Sequence, residues 1–303
     1  MRAARKAGVD VVLLTDHDNL RAREHGQEGW HDGVLLLVGE EITPPESHYL
    51  AFGAPHHVRK GGRTPAEVCR AVEEAGGFGF AAHPFSEGSK LFKRRGIPFA
   101  DLECVSGIEV WSFVNDTGEA VVRPLDVLRF LLAPNRFIDH PPARNLREWD
   151  RLNRARRVVA IGGLDAHQVG IRVGPWVPLR LMSYKRSFRH IRTHVLVEGE
   201  PTRESVFEAL REGRSYIAMD SLAPARGFAF EAEGDTLTVR VPREARLRLL
   251  RDGAEVATIV GRELTHRAEG PGSYRAEAYL HAHGRDRTWI LSNPLPARTN
   301  DPG

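Results

Sequence analysis

Cysteine is scarce: only Cys69 and Cys104 occur in 303 residues. Two cysteines without close paired spacing exclude a disulfide framework and a cysteine zinc site, so no cysteine chemistry is expected. A reducing compartment, and hence a cytoplasmic location, is the default. Lysine is also rare, with five among 43 basic residues; this arginine bias reads as base composition of the source genome before it reads as phosphate recognition. Basic and acidic residues number 43 and 40, for a net charge of +3, and the two signs are interleaved. Without a basic stripe, no nucleic-acid partner is expected. No apolar run approaches the roughly 18 residues of a membrane span, and Met1 leads into Arg2, Arg5 and Lys6 without the apolar stretch of a secretory signal. Internal repeats and low-complexity tracts are missing too, and only the tail from Ala297 reads as disordered.

What is present is an alternation of strand-like and helical patterns. Apolar runs at 9–14, 35–40, 48–52, 78–82, 107–111, 158–162 and 193–197 read as seven strands. Helical spacing fits 64–75, 125–132, 148–157 and 203–211, the first opening with Thr64-Pro65 and Glu67 three residues after the threonine, a capping arrangement. That order predicts βα units around a parallel sheet. After Ala223-Pro224-Ala225 the texture changes to short alternating segments at 228–232, 236–241, 246–251, 255–260, 273–280 and 288–291. Turn signals such as Asp252-Gly253 separate them, which predicts a small antiparallel β-sandwich. Two domains are expected, 1–223 and 224–303.

Metal-ligand residue types collect at strand ends. The first strand runs into Thr15-Asp16-His17-Asp18, and the second into Gly39-Glu40-Glu41, with His48 opening the third. The fourth ends at His83-Pro84, and the sixth leads to Asp165-Ala166-His167. The carboxyl ends of parallel barrel strands open on one face, so these groups would converge there, as Zn²⁺, Mn²⁺ or Fe²⁺ require. A single histidine after a strand is more often a hydrogen-bonded structural residue, but four such groups in register reverse that balance. Asp16 reads better as a partner orienting His17 than as a ligand. Glu40 and Glu41 are adjacent, so only one can face the mouth, and spacing does not choose between them. Trp111, Asn115 and Asp116 follow a strand end and are candidates for the substrate pocket, although Trp111 fits barrel packing equally well. Arg172 and Arg192 could meet an anionic substrate. His194 reads as a core histidine, and His56, His57, His140, His190, His266, His281 and His283 as surface residues.

Thr-Asp-His after a strand, Gly-x-Glu followed by His48, Ala-His-Pro and Asp-Ala-His, in this order, resemble the motifs of the PHP (polymerase and histidinol phosphatase) superfamily. Gly107-Ile108-Glu109-Val110-Trp111 with Asn115, the block 156–167, and Arg192-Thr193-His194-Val195 are similar to its carbaryl-hydrolase-like branch. The resemblance covers 1–223. It implies an α/β fold, a distorted seven-stranded (β/α) barrel with two or three divalent metals at its carboxyl face, here followed by the small all-β sandwich. It selects Glu41 as a bridging carboxylate, with His48 and His83 on the same metal. It also implies Asp165 on a second metal, and His17 with His167 on a third. Family members open with a strand ending in His-x-His, and no such motif lies between Met1 and Thr15. The expectation is a barrel lacking its first strand, through a start placed too late rather than a natural short form, with weakened binding of the full metal set.

The implied activity is hydrolysis of a small-molecule ester by metal-activated water, whose pKa a metal lowers to about 7. Asp16, His17, Glu41 and Asp165 are the catalytic candidates. A phosphoester is the leading substrate, and a carboxylic or carbamic ester the enzyme alternative. A non-catalytic binding module is the alternative outside enzymes, and a proofreading domain is disfavoured by the mixed charge.

Overall fold

A computed structural model describes all residues except 92, 100, 135–137, 167–169, 174–176, 181–182 and 298–303. The expected ligand His167 and, apart from Ala297, which ends a short strand, the tail expected to be disordered therefore lie outside the described residues. Among those described, no helix is long and apolar enough to cross a membrane.

Among the described residues the chain forms two large sheets and two short two-stranded ones. Helix α1 (Arg2–Ala7) leads into β1 (Val11–His17), which is followed by β2 (Val34–Ile42) and β3 (Tyr49–Phe52). Helix α2 (Pro65–Glu74) precedes β4 (Phe78–Ala81), then come β5 (Gly107–Ser112), helix α3 (Ala143–Ala155) and β6 (Val159–Gly163). Thr64 caps α2 as its sequence predicts, exchanging bonds with Glu67 at 3.4 and 2.7 Å. The six strands lie in the order β1-β2-β3-β4-β5-β6, with a short strand Gly29–His31 added on β2, and form a curled half-barrel.

This sheet is mixed, where an all-parallel one is expected. β3 runs antiparallel to both neighbours, while the β1–β2, β4–β5 and β5–β6 pairs are parallel. A parallel return needs a crossover of about a dozen residues, and the link between Ile42 and Tyr49 is too short for one. The reversal matters for the site. It brings the start of β3, where His48 stands, to the end at which β1, β2 and β4 finish.

The second sheet contains β7 (Ile191–Val195), helix α4 (Arg203–Arg211) behind it, β8 (Ser215–Met219), β9 (Ala229–Glu233), β10 (Thr236–Arg251), β11 (Ala254–Arg267), β12 (Gly272–Ala282) and β13 (Arg285–Ser292). Its order is β7-β8-β13-β12-β10-β9, with β11 also on β10 and a short strand Leu295–Ala297 on β12. The segment expected as a seventh barrel strand is thus β7, which pairs antiparallel with β8 in this sheet. The expected two-sheet sandwich is one continuous antiparallel sheet. The predicted strands 236–241 and 246–251 merge into β10, whose pairing with β11 shifts register between Arg240 and Ala245. A bulge of that kind bends a strand, and residues from both halves of β10, Leu237, Val239, Leu247 and Leu249, share one core with Tyr274, Ala276 and Trp289.

The sheets meet along β6. A Cβ on Gly162 would lie 2.6 Å from Ile217 and 2.7 Å from Ile191, so only glycine allows this approach. Thr193 Oγ1 accepts from Gly162 N and donates to its carbonyl, both at 2.9 Å. Buried Asn293 closes the joint: its Oδ1 accepts from Ala160 N at 2.7 Å, and its Nδ2 donates to Ala160 O at 3.0 Å and Ser215 O at 3.1 Å. Beyond the joint, a cavity of about 1290 Å³ opens between β1 on one side and β7 on the other. An unpaired buried donor or acceptor costs about 1–3 kcal/mol, and Asn293→Ala would leave several. We expect Asn293→Ala to lower unfolding free energy by about 3 kcal/mol in urea titrations; a loss below about 1 kcal/mol would show that the joint does not depend on this amide.

Candidate metal centre

Parallel pairing of β1 with β2 sets His17 opposite Glu41 and Asp16 opposite Glu40. Side chains alternate faces along a strand, so the first pair shares one face and the second pair the other. Glu41 is 6% exposed and its carboxylate is surrounded by imidazoles. Oε1 lies 2.6 Å from His48 Nδ1 and 3.7 Å from His83 Nε2, and Oε2 lies 3.9 Å from His17 Nδ1. The ring centroids of His17 and His48 are 5.4 Å apart, and those of His48 and His83 are 5.0 Å apart.

Glu40, equally buried, turns away. It takes His57 Nδ1 at 2.5 Å and the amide of Val58 at 2.9 Å. Two adjacent carboxylates thus serve opposite faces, Glu40 with His57 and Glu41 with the cluster of three histidines.

The donor set fits a divalent ion. One ligand atom each from His17, Glu41 and His48 lie within 4.8 Å of one another. Nδ1 of His83 is buried without a hydrogen-bond partner, while Nδ1 of His48 faces the Glu41 carboxylate at 2.6 Å. Buried nitrogen atoms without partners are costly unless something else satisfies them, and mixed imidazole and carboxylate ligands suit Zn²⁺, Mn²⁺ or Fe²⁺.

Two features fix the ends of the strands that carry these ligands. Asp18, with φ 51° just past β1, accepts from Thr43 N at 3.0 Å, Thr43 Oγ1 at 2.5 Å and Lys60 Nζ at 2.7 Å. Its own amide donates to Glu41 O at 3.0 Å. Asp18, rather than Asp16, clasps the two strand ends; Asp16 is exposed at the cavity rim. His83 has φ 32°, a conformation that is rare for a residue with a side chain. Glu109 on β5 holds it there, accepting the His83 amide at 2.8 Å.

Glu109 is 3% exposed and lines the cavity together with Glu41, His83 and Asp165. Burial pushes its carboxyl up to about 7, with His83 opposing and Asp165 reinforcing the rise. A Cβ on Gly163 would lie 1.9 Å from Glu109 Oε1, so the neighbouring strand must present glycine. In the sequence Glu109 stands out only as part of the Gly-Ile-Glu-Val-Trp motif. An acidic residue inside the otherwise apolar Gly-Ile-Glu-Val-Trp run was the available signal, since buried carboxylates are rare unless paired.

Asp165, at φ 45°, accepts from Asn115 Nδ2 at 2.7 Å. Asn115 therefore positions Asp165. Trp111, a candidate for the substrate pocket, is instead fully buried in the core with Ile108 and Val110. Strict alternation would put it on the cavity face with Glu109, but the β5–β6 register shifts between those two residues and turns it inward. Arg192 borders the cavity with its nitrogens engaged by Phe188 O at 2.9 Å, Asp220 Oδ2 at 3.1 Å and Ala7 O. The side chain of Arg172 lies outside the described residues. His194 is a cavity-wall residue rather than a core one, 3.0 Å from Asp220 and stacked on Tyr216 at 4.6 Å. His190 is buried rather than superficial, stacked on Phe113 at 4.8 Å and bonded to Ser221 at 2.9 Å.

No family model matches the chain. An uncharacterized protein of Methanocaldococcus jannaschii is 29% identical over 119 residues, covering 39% of this chain and 67% of that one. Among solved structures, a two-domain protein from Bacteroides vulgatus containing a predicted PHP-like metal-dependent phosphoesterase aligns with a TM-score of 0.40 and 16% identity. The alignment covers 97% of this chain and 89% of that one. Another, from Bifidobacterium adolescentis and also named for metal-dependent phosphoesterases, aligns with a TM-score of 0.28 and 20% identity over 45% of this chain and 76% of its own.

Charge in the cluster gives the metal-free protein a defined pH response. Burial disfavours the charged forms of Glu41 and His83, yet their mutual contact, with His48 beside Glu41 and with Glu109 and Asp165 near His83, outweighs it. Glu41 is held down to about 2 from 4.5, and His83 raised to about 9 from 6.5. The His83 contribution to stability is full below its ordinary value of 6.5 and is lost as pH rises through 9. The Glu41 contribution is full above 4.5 and is lost as pH falls toward 2. In EDTA, we expect the melting temperature to decline between pH 6.5 and 9, and Glu41→Gln to flatten that decline. Parallel curves for the two proteins would refute the coupling.

Proposed function

We propose that this chain is a metal-dependent hydrolase of ester bonds, with phosphoesters as its substrate class. The observation that carries the proposal is the buried Glu41 carboxylate set among His17, His48 and His83 at the end of a large cavity. His17, Glu41 and His48 would hold the ion, with His83 beside them. When bound, a divalent ion acidifies a water and offsets the negative charge that develops on the ester oxygens.

The remaining side chains have supporting roles. Glu109 fixes the His83 backbone, and Asn115 aims Asp165 into the same cavity. With its carboxyl near 7, Glu109 can keep or give up a proton at neutral pH, which suits exchange with a reacting group. Arg192 borders the cavity in an ion pair with Asp220 at 3.1 Å, so its charge is offset there. A divalent cation at this cluster would favour an anionic ester over a neutral one.

The cavity wall favours one second reading. Leu14, Leu50, Phe52 and Phe80 line it, an apolar surface that suits an aryl carboxylic or carbamic ester. A panel of p-nitrophenyl phosphate, bis-p-nitrophenyl phosphate and 1-naphthyl acetate, assayed with Mn²⁺ or Zn²⁺ and again in EDTA, separates the two. We expect metal-dependent turnover highest on a phosphoester. Glu41→Gln and His48→Ala should each lower kcat/KM by about 100-fold or more, and Asn115→Ala by about 10-fold, as for residues that orient ligands. Asp16→Asn should change it by less than about 10-fold. Faster turnover of the naphthyl ester would favour the second reading, and no metal-dependent turnover on any substrate would favour a binding module.

A further inference from the structure

Spacing in the sequence gives the two cysteines no role, but the fold brings them together across 35 positions. Cys69 lies on α2 and is 1% exposed. Cys104 lies in the turn that leads into β5 and is partly exposed. The two Sγ atoms are 2.9 Å apart. Both sides of the contact are held. Cys69 sits in the capped helix among the core residues Val68 and Val72. The Cys104 turn is gripped by Arg156, which donates to Leu102 O and Val105 O at 2.6 Å each, and Cys104 Sγ also reaches Asp101 O at 3.2 Å.

We propose that Cys69 and Cys104 form an oxidisable dithiol, a site at which a peroxide installs an intramolecular disulfide between α2 and the turn before β5. Disulfide formation needs two sulfurs already held near bonding reach, and the two Sγ atoms stand 2.9 Å apart here. The two thiols are also unequal. Contact with Cys69 lowers the Cys104 pKa, with Arg156 nearby adding to the effect, whereas contact with Cys104 and burial push the Cys69 thiol up. Partly exposed Cys104 is therefore the attacking group, and buried Cys69 the resolving one.

The chemistry balances in two steps. The Cys104 thiolate attacks one oxygen of hydrogen peroxide and breaks the O–O bond, giving a sulfenic acid and hydroxide, which takes up the proton that Cys104 released. The Cys69 sulfur then displaces the hydroxyl from the Cys104 sulfur. The S–S bond forms and a second water leaves with the Cys69 proton. Two thiols are oxidised, and one peroxide is reduced to two waters. The product ties α2 to the strand that carries Glu109, closing a loop that includes β4 and the approach to His83.

The test uses the full chain, reduced, freed of reductant and treated with a small excess of hydrogen peroxide. We expect thiols titrated after denaturation to fall from two to none. The intact mass should drop by the two hydrogens of one disulfide, with Cys69 and Cys104 recovered in one cross-linked peptide that dithiothreitol separates. Closing this loop should raise the melting temperature by about 5 °C or more. Cys69→Ser should halt at a Cys104 sulfenic acid that dimedone traps, and Cys104→Ser should leave Cys69 unreacted under the same exposure. Retention of both thiols, cross-linking between chains, or oxidation of each sulfur to sulfinic acid without the cross-linked peptide would overturn the proposal. The readout on the unsubstituted chain decides the matter even if either serine variant folds poorly.

Discussion

The site depends on the Glu41 carboxylate being buried in its charged form. Removing an ion from water costs several kcal/mol even after relaxation, and only close opposite charge or a metal offsets it. Glu41 meets that requirement with His48 and His83 on one oxygen and His17 on the other. Those three imidazoles come from three different strand ends, so one electrostatic demand constrains β1, β2, β3 and β4 together. A slip of one residue in β2 would carry Glu40 into the cluster and send Glu41 to His57, reversing which face holds the ligands.

The architecture around that carboxylate follows from connection lengths and close approaches. The short link after β2 forces β3 to run antiparallel, and that reversal delivers His48 at its start rather than its end. Asp18 ties the end of β1 to β2, Glu109 fixes His83, and Asn115 fixes Asp165. Gly162 and Gly163 stand side by side because the second sheet presses on one and the Glu109 carboxylate on the other. The Glu109 carboxylate and the joint between the sheets thus meet on the same strand, β6.

Much of this is legible in the residues alone because strand ends announce themselves: an apolar run followed by Thr-Asp-His, Gly-Glu-Glu or His-Pro shows where a chain stops being core and starts being chemistry. The choice between Glu40 and Glu41 needs register, which pairing of β1 with β2 supplies. Other features depend on tertiary context that local pattern does not encode. The apolar run at 193–197 looks the same whether it joins a parallel barrel or, as here, the edge of an antiparallel sheet. Trp111 follows a regular alternation in sequence, and a register shift alone turns it into the core. Cys69 and Cys104 are far apart in the chain, and only the packing of α2 against the turn before β5 makes them a pair.

The most direct measurement is anomalous scattering from crystals of the chain soaked in Zn²⁺, recorded on either side of the zinc absorption edge. The account predicts a peak bounded by His17 and His48 nitrogens and a Glu41 oxygen, lost in Glu41→Gln and retained in Glu40→Gln. A peak elsewhere with none at this cluster, or one that survives Glu41→Gln and disappears in Glu40→Gln, would contradict it.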